Sequence, residues 1–413
     1  MDWLTIVYLF YTFIALYFLF LFIVIFIPRR KDILYSPQAS RIYDLSIVVP
    51  CYNEEKNIAG TIEALLKIKY PGLKRIIVVD DCSTDASYRI IKEYAKKYPS
   101  KILALQTPKN TGKASGAKNY GAKYVKTELI GFTDADSYPE EGAIEKMIGF
   151  FEDKKTGAVT SMVLVKHRTK FIEKLQAIEY KIIAFSRKLL GFVEAIYVTP
   201  GPLAVYRRSA FEKIGGFDEK NMTEDIEITW SFVNAGYKVE MCAAARVYTV
   251  APSKFRNWFR QRVRWNYGGI QTISKYRKTF LKRNMLGCFI LPFFIFSWFL
   301  GIAGLFILIY RFLTGIISRF LSATYSVQAQ TAILNLKDIS LTPNILIFFG
   351  FVLLILSLAF TFVALAYSPE KEFKKYGIFS VIIYMFVYLL AYPFILVTSV
   401  YKYAKSKGKG LRW

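Results

Sequence analysis

The stretch that decides the fold is Ser46-Ile47-Val48-Val49-Pro50-Cys51-Tyr52-Asn53-Glu54-Glu55. Its consecutive β-branched residues predict a buried strand, and the polar residues that follow Pro50 predict a turn. Apolar residues at positions 58, 62, 65 and 66 then recur at helical spacing, and Pro71-Gly72 ends that helix. The unit is therefore a strand, a turn and a helix, which is the repeat of an α/β domain.

The same unit recurs further along the chain. Strands are predicted at 75–80, 102–105 and 129–133, with helices at 86–97 and 113–125. Alternating strands and helices predict a mainly parallel sheet, and ligands of such sheets bind at the carboxyl ends of the strands. Three polar clusters follow strands in this way: Tyr52-Asn53-Glu54, Asp80-Asp81 and Asp134-Ala135-Asp136.

The chain also contains membrane-like segments, although it is strongly basic. Its 413 residues are 54% hydrophobic and carry a formal net charge of +25, with a mean hydropathy of +0.29. This combination excludes a purely soluble enzyme and a disordered basic protein. A bilayer-spanning helix needs about 20 apolar residues. Four stretches are long enough: 3–27, 285–310, 344–367 and 377–400.

Basic flanking residues predict the orientation of these stretches. The first stretch lacks a basic start and a small-residue cleavage site, so we expect a retained anchor rather than a signal peptide. Arg29-Arg30-Lys31 and the basic cluster at 275–283 place residues 28–284 in the cytoplasm. Four spans would then leave both termini outside. The basic tail conflicts with that orientation, since it contains Lys402, Lys405, Lys407, Lys409 and Arg412.

Several kinds of site are excluded by residue usage. The four cysteines form no CxxC motif, which argues against a disulfide scaffold. The single histidine, His167, lies between two basic residues and is predicted at the surface, so histidine triads and multi-histidine zinc sites are not expected. The sequence has no GxGxxG or GxxxxGK[ST] motif, and a dinucleotide fold or a P-loop is therefore not supported.

The polar clusters at the strand ends suggest a nucleotide and metal site. Asp134-Ala135-Asp136 offers hard oxygen ligands, which suit Mg²⁺ or Mn²⁺ bound to a diphosphate. Alone the tripeptide would be a solvated turn, but its position after a buried strand favours a functional site. Asp81 could accept hydrogen bonds from a base or ribose, and Tyr52 could stack on a base. An Asx turn at Asp80-Asp81 is compatible with that role.

Two further segments have open interpretations. Thr223-Glu224-Asp225 precedes a helical run, where it could cap the helix or supply Asp225 as a general base. Residues 252–283 contain ten Lys or Arg, no acid, and interleaved aromatic residues, which is typical of an interface helix on anionic lipid. Such mixtures also bind nucleic acid, but a membrane-tethered location argues against that. Residues 168–192 form a second amphipathic candidate.

Together these motifs resemble the membrane-embedded family 2 glycosyltransferases with a GT-A fold, the group of cellulose, chitin, hyaluronan and poly-N-acetylglucosamine synthases. The resemblance covers roughly residues 45–270, and its Q-x-x-R-W pattern marks the processive members. The motifs that carry it are residues 48–55, residues 79–85, Thr133-Asp134-Ala135-Asp136, Gly201-Pro202-Leu203 before Tyr206-Arg207-Arg208, Thr223-Glu224-Asp225, and Gln261-Arg262-Val263-Arg264-Trp265.

The resemblance also implies roles for individual residues. Asp225 becomes the catalytic base, and Asp136 with Asp134 binds Mg²⁺ or Mn²⁺ as a cofactor. The residues implied in nucleotide binding are Pro50, Tyr52, Glu54, Asp81, Lys113, Asp134 and Arg264, and those implied in acceptor binding are Gln261, Trp265 and Glu224.

The function implied is a processive, inverting hexosyltransferase that elongates and translocates a polysaccharide from a UDP-sugar. The motifs disagree on the sugar, since some resemble hyaluronan synthases and others poly-N-acetylglucosamine synthases; UDP-GlcNAc or UDP-Glc is expected. The expected partners are the UDP-sugar, an oligosaccharide or polysaccharide acceptor and the lipid bilayer, with no nucleic acid. Four spans are few for a sealed pore, which favours a homo-oligomer or an accessory subunit.

The predicted fold class is a GT-A α/β domain inserted between about four transmembrane helices, with amphipathic interface helices. The enzyme is expected to be a multi-pass plasma-membrane protein with a cytoplasmic catalytic domain. The boundaries are a transmembrane anchor at 1–28, the catalytic domain at 29–250, interface helices at 251–284, and three transmembrane helices at 285–413, with an extracytoplasmic loop at 311–343 and a basic tail.

Two alternatives remain at this point. A non-processive transferase could charge a polyprenyl phosphate with one sugar, although the Gln261–Trp265 element argues against it. A non-catalytic membrane scaffold with the same fold is the other alternative. The presence of Asp134, Asp136, Asp225 and Trp265 argues against a scaffold.

Overall fold

The computed structural model describes residues 3–328, 345–367 and 379–408. The strands are β1 Leu45–Cys51, β2 Leu73–Asp80, β3 Ile102–Gln106, β4 Leu129–Phe132, β5 Ser137–Pro139, β6 Thr156–Val165, β7 Ala204–Arg207 and β8 Lys238–Thr249. The helices are α1 Trp3–Arg29, α2 Ile58–Leu66, α3 Ser87–Lys97, α4 Ala114–Ala122, α5 Ala143–Ile148, α6 Phe171–Gly191, α7 Arg208–Lys213, α8 Glu224–Asn234, α9 Phe255–Tyr276, α10 Leu291–Gln328, α11 Ile345–Ala366 and α12 Phe379–Lys405.

The eight described strands form one mixed sheet in the order β3-β2-β1-β4-β7-β6-β8-β5. The first four strands pair in parallel, as predicted from their alternation with helices. Strand β7 then pairs antiparallel with both of its neighbours, and β5 pairs antiparallel with β8. The α/β prediction is confirmed. Strands β6 and β8 also pair in parallel, so four of the seven pairs between the described strands are parallel, as expected for a mainly parallel sheet, and β7 and β5 supply the three antiparallel pairs.

Both faces of the sheet are buried, which explains the continuous apolar strands. Neighbouring residues of β1 point to opposite faces. Val48 belongs to one apolar cluster, and Ile47 and Val49 belong to the other. The sheet therefore lies between helical layers, with its strand ends open at one edge.

Within the described residues, four helices are long and apolar enough to cross a membrane, as predicted. The second of them, Leu286–Gln328, is longer than expected. Residues 311–328, predicted as part of a loop, continue the helix, because Phe312, Leu313, Ile316 and Ile317 extend the apolar pattern without a proline. The remainder of the predicted loop at 329–343 lies outside the described residues.

The last of these helices, α12, runs alongside α9 in the same direction. In its first half, Tyr388 packs on Trp258 with ring centroids 4.7 Å apart. Beyond its end, Ser406 hydrogen-bonds the Tyr267 hydroxyl at 2.7 Å, and the Gly408 carbonyl accepts from the Gln271 side chain at 3.0 Å. The tail at 402–408 therefore lies next to α9, the helix that follows the sheet.

We therefore expect the C-terminus to lie on the same side of the membrane as the catalytic domain, which removes the conflict posed by the basic tail. Protease digestion of sealed vesicles should cleave a C-terminal epitope tag and a tag inserted in the exposed turn at 153–155 in the same vesicle orientation. Cleavage of the two tags in opposite orientations would show that α12 crosses the membrane and places the tail outside.

Candidate functional site

The loops that follow β1 and β2 are joined by hydrogen bonds at the edge of the sheet. The Asn53 side-chain oxygen accepts from the Thr84 backbone N–H at 2.8 Å, and the Asn53 N–H donates to the Ser83 hydroxyl at 3.0 Å. Asn53 adopts a left-handed φ of 53°, which asparagine tolerates better than most residues. This turn leaves Tyr52 49% exposed at the strand end, where its ring is accessible to a planar base.

Asp81 and Pro50 are less accessible than their predicted role requires. The Asp81 carboxylate is buried and accepts hydrogen bonds from the Thr107 hydroxyl at 2.7 Å and the Thr111 hydroxyl at 2.8 Å. Pro50 is buried inside β1. In this structure Asp81 anchors the loop between β3 and α4, and a ribose would have to replace one of these hydroxyls to bind it.

Asp134 and Asp136 lie between β4 and β5, at the same edge. Burial, and then the charges of Asp134 and Glu54, raise the pKa of Asp136 to about 7. Repulsion among three carboxylates is relieved by a bound cation. Among the described residues no three His, Cys, Asp or Glu side chains converge on one point. The residues present fit a divalent ion held by the aspartate pair, with the remaining ligands supplied by water and substrate.

Gly201 lies directly against the Asp134 carboxylate. A Cβ atom added at Gly201 would overlap both carboxylate oxygens. Only glycine at position 201 allows the segment before β7 to pass so close to the Asp134 carboxylate. Packing therefore explains the glycine of the Gly201-Pro202-Leu203 motif.

A buried lysine, Lys118 on α4, joins two of the predicted motifs. Its ammonium lies 2.9 Å from a Glu224 oxygen and 3.4 Å from an Asp134 oxygen, and its side chain is 2% exposed. Burial alone would lower the pKa of Lys118, but the charges of Glu224 and Asp134 raise it. The lysine therefore stays charged and holds the Asp134 region and the start of α8 together.

Asp225 follows Glu224 in the first turn of α8. Burial first, and then the neighbouring Glu224 charge, raise the pKa of Asp225 to about 7, while Lys118 opposes that rise. One Asp225 oxygen accepts from the Ile226 N–H at 2.9 Å. A carboxyl whose pKa lies near neutrality suits proton abstraction. Thr223 precedes the helix, but its side chain makes no capping hydrogen bond.

The loop that leads into α8 is held by Lys113. The Lys113 ammonium donates to the backbone carbonyls of residues 219, 220 and 221, at 2.9, 2.8 and 3.2 Å. The predicted phosphate contact of Lys113 would require these hydrogen bonds to be exchanged. In the structure the lysine instead fixes the chain immediately before the Thr223-Glu224-Asp225 motif.

The same loop packs on α9, the helix that carries the Q-x-x-R-W pattern. A Cβ atom at Gly268 would overlap the Thr223 hydroxyl, and the Met222 N–H donates to the Gln271 side chain at 2.9 Å. The glycine three residues after Trp265 thus allows α9 to approach the start of α8.

The predicted acceptor residues on α9 lie next to this contact. Burial alone would raise the pKa of Glu224, but Lys118 and, less strongly, the exposed Arg264 lower it. Gln261 and Trp265 are half-buried, and both contact the intervening Arg262. The structure thus brings Glu224, Asp225 and Arg264 together.

Three buried charged residues of this region were missed in the sequence: Lys118, Glu179 and Arg262. Lys118 follows the small residues Ala114-Ser115-Gly116-Ala117 on α4, and a small-residue helix face allows a lysine to be buried. That pattern could have identified it. Glu179 lies in an amphipathic helix and has no local signal for burial.

An Asp-X-Asp pair and an acid of raised pKa, at the carboxyl edge of a mixed sheet beside a basic-aromatic helix, are typical of an enzyme that transfers a group from a nucleoside diphosphate. A comparison with protein families makes this specific. Residues 43–268 match the model described as "Glycosyltransferase like family 2". The chain belongs to this family and is a glycosyltransferase with a GT-A-like domain.

Curated relatives match about two thirds of the chain. A probable glycosyltransferase, YdaM, from Bacillus subtilis is 33% identical over 270 residues, which is 63% of each chain. Poly-beta-1,6-N-acetyl-D-glucosamine synthase from Staphylococcus epidermidis is 29% identical over 268 residues, or 64% of each chain. The chain thus spans a little under two thirds of the length of these relatives.

Among solved structures, the mannosyltransferase PcManGT from Pyrobaculum calidifontis, in complex with GDP-Man and Mn²⁺, superposes with a TM-score of 0.59. The alignment covers 96% of this chain and 99% of that chain at 17% identity. At this identity the likeness concerns the fold alone.

Replacing Lys118 by methionine tests its effect on Asp225. Lys118 lowers the pKa of Asp225, so without it the carboxylate form, which is the base, exists only at higher pH. We expect the acidic limb of the kcat/KM profile for UDP release to lie near pH 7 in the native enzyme and to move up by about one unit or more.

Lys118→Arg, which keeps the charge, is the control for that measurement. The shift is read from the shape of the profile, so a smaller folded fraction of the methionine variant does not affect it. A methionine profile that coincides with the native one would contradict the role assigned to Lys118.

Proposed function

We propose that the chain is a processive, inverting glycosyltransferase that extends a polysaccharide from a UDP-sugar, with UDP-GlcNAc as the first candidate and UDP-Glc as the second. The observation that carries this proposal is the Lys118 bridge, because it fixes the aspartate pair and the Glu224-Asp225 acids in one site. The similarity to poly-beta-1,6-N-acetyl-D-glucosamine synthase supports the donor and the polymeric product.

In the proposed reaction, Asp225 accepts the proton of an acceptor hydroxyl. The resulting oxygen forms a bond to the anomeric carbon, while the bond from that carbon to the diphosphate oxygen breaks and its electron pair leaves with UDP. Attack from the face opposite UDP inverts the anomeric configuration. A Mg²⁺ or Mn²⁺ ion held by Asp136 with Asp134 would neutralise charge on the departing diphosphate.

The donor is bound by residues around the strand ends. Tyr52 is assigned to stack on the uracil, with Pro50, Glu54 and Asp81 around the nucleoside. Asp81 binds the ribose only if it releases the Thr107 or the Thr111 hydroxyl. Arg264 lies near enough to Glu224 to influence its ionisation and is assigned to the diphosphate, since a guanidinium binds phosphate oxygens in a bidentate manner. Lys113 joins these donor-binding residues only if its hydrogen bonds to the carbonyls of residues 219, 220 and 221 are replaced by bonds to the phosphate.

The acceptor end of the polymer is assigned to α9. The Trp265 ring offers an apolar face to a sugar, which permits the chain to slide by one unit between additions. Gln261 and Glu224 supply hydrogen-bonding groups to the terminal sugar. The chain would act in the plasma membrane with its catalytic domain in the cytoplasm, and a homo-oligomer or accessory subunit would complete the exit path.

A transferase that charges a polyprenyl phosphate is the second candidate, and one observation favours it. Arg187 on α6 is only 5% exposed, and its Nε has no hydrogen-bond partner among the described residues. Asp225 is one of the charges that act on this guanidinium. An acceptor phosphate beside the base would satisfy the buried arginine.

Product sizing distinguishes the two functions. Purified protein in lipid nanodiscs with radiolabelled UDP-GlcNAc and Mg²⁺ or Mn²⁺ should release UDP and form a ladder of products that grows with time. A single lipid-linked sugar would support the second candidate instead. If UDP is released from UDP-Glc but not from UDP-GlcNAc, the donor is UDP-Glc.

In the same assay Asp225→Asn should lower UDP release by about 100-fold or more, the range lost with a general base. Donor binding should persist, since Asp225 is assigned to the acceptor hydroxyl. Asp44→Asn serves as the control, because Asp44 is an exposed carboxylate at the far end of β1 that pairs with Lys74. Turnover by Asp225→Asn at the native rate would overturn the assignment of the base.

A further inference from the structure

Arg262, one of the three residues between Gln261 and Trp265 on α9, is almost completely buried. Its side chain is 1% exposed, and its guanidinium pairs with the Glu179 carboxylate of α6, which is 2% exposed. One donor of Arg262 bonds the Gln261 side-chain oxygen at 2.7 Å. Its guanidinium carbon also lies 4.0 Å from the centre of the Trp265 ring. A single buried cation therefore touches both predicted acceptor residues.

The C-terminal helix completes this contact. The Tyr388 hydroxyl of α12 donates to a Glu179 oxygen at 2.7 Å, and the Arg262 Nε donates to the Tyr392 hydroxyl at 3.3 Å. Further along, the Ser399 hydroxyl donates to the Val263 carbonyl at 3.3 Å. Three helices that are far apart in sequence, α6, α9 and α12, thus meet at one ion pair.

Stability alone does not account for a buried ion pair. Removing two charges from water costs several kcal/mol per ion, and apolar residues of similar volume are often equally stabilising. A bidentate pair does, however, fix the rotation and register of the helices that carry it, because both hydrogen bonds require a defined geometry. At this position the register of α9 decides where the Trp265 ring and the Gln261 amide point.

We propose that Glu179, Arg262 and Tyr388 form a positioning cluster that sets the acceptor-binding face of α9, and that α12 is the element that holds this face in place. The inference rests on the proposed function of Gln261 and Trp265 in acceptor binding. None of the three cluster residues need touch the substrate. The C-terminal helix then contributes to polymer elongation through Tyr388, rather than only anchoring the chain in lipid.

The test is a pair of matched substitutions in the full-length protein, Tyr388→Phe and Tyr384→Phe. Both tyrosines lie on α12, both are 4% exposed, and each substitution deletes one hydroxyl. The Tyr384 hydroxyl makes no hydrogen bond with the described residues, whereas the Tyr388 hydroxyl binds Glu179. We measure the KM for a β-1,6-linked N-acetylglucosamine pentasaccharide, product length, and UDP release without acceptor.

Tyr388→Phe is expected to raise the acceptor KM by about three- to tenfold, the loss that corresponds to one weakened hydrogen bond, and to shorten the products. Acceptor-independent UDP release should stay at the native level. Tyr384→Phe should resemble the native enzyme in all three measurements.

Equal effects of the two substitutions would overturn the proposal. A parallel fall in acceptor-dependent and acceptor-independent turnover would also overturn it, since it would indicate a general structural role. If the native enzyme itself forms no polymer and ignores the pentasaccharide, the proposed function fails, and this result is distinct from failure of the positioning cluster.

Discussion

The site depends on one buried ammonium group, that of Lys118. Two carboxylates from separate parts of the chain, Asp134 after β4 and Glu224 at the start of α8, meet at this cation. Burial of the lysine disfavours its charged form, and the attraction to Glu224 and Asp134 outweighs that cost. The raised pKa of Lys118 agrees with that balance.

This arrangement explains how neighbouring acids have different ionisation. Glu224 contacts the lysine directly, and its pKa is lowered. Asp225 is next in sequence but gains less from Lys118, so burial and the Glu224 charge raise its pKa to about 7. One cation thus keeps the Glu224 carboxylate charged and leaves the pKa of Asp225 near 7, as the proposed proton transfer requires. Gly201 and Gly268 allow the close approaches that bring the surrounding segments to this point.

Much of the fold could be predicted because it follows local patterns. The β-branched run at 46–50 and the polar turn after it specify β1 and its loop, and the helix at 87–97 lies within the predicted range. The antiparallel direction of β7 could not be predicted from a local pattern, because it depends on how the chain returns to the sheet through α6. Residues 311–328 were assigned to a loop by the expected length of a membrane span, whereas the helix continues through them.

For the site, sequence motifs located the strand-end acids but not their partners. The small residues before Lys118 on α4 hint at its burial, but its partners Asp134 and Glu224 come from distant segments. The Glu179–Arg262 pair depends on a contact between helices far apart in the chain, which no local pattern encodes. The motifs also could not show that Asp81 and Lys113 are occupied by contacts with the chain itself. The placement of α12 along α9 is likewise a tertiary feature, since composition alone describes only a helix long enough to cross a membrane.

The most direct measurement is a structure of the protein with UDP-GlcNAc and Mn²⁺ that locates manganese by anomalous scattering. We expect one manganese peak at Asp136 and Asp134, beside the diphosphate, with the anomeric carbon of the sugar facing Asp225. A nucleotide bound away from the strand ends, or an anomeric carbon directed away from Asp225, would contradict this expectation.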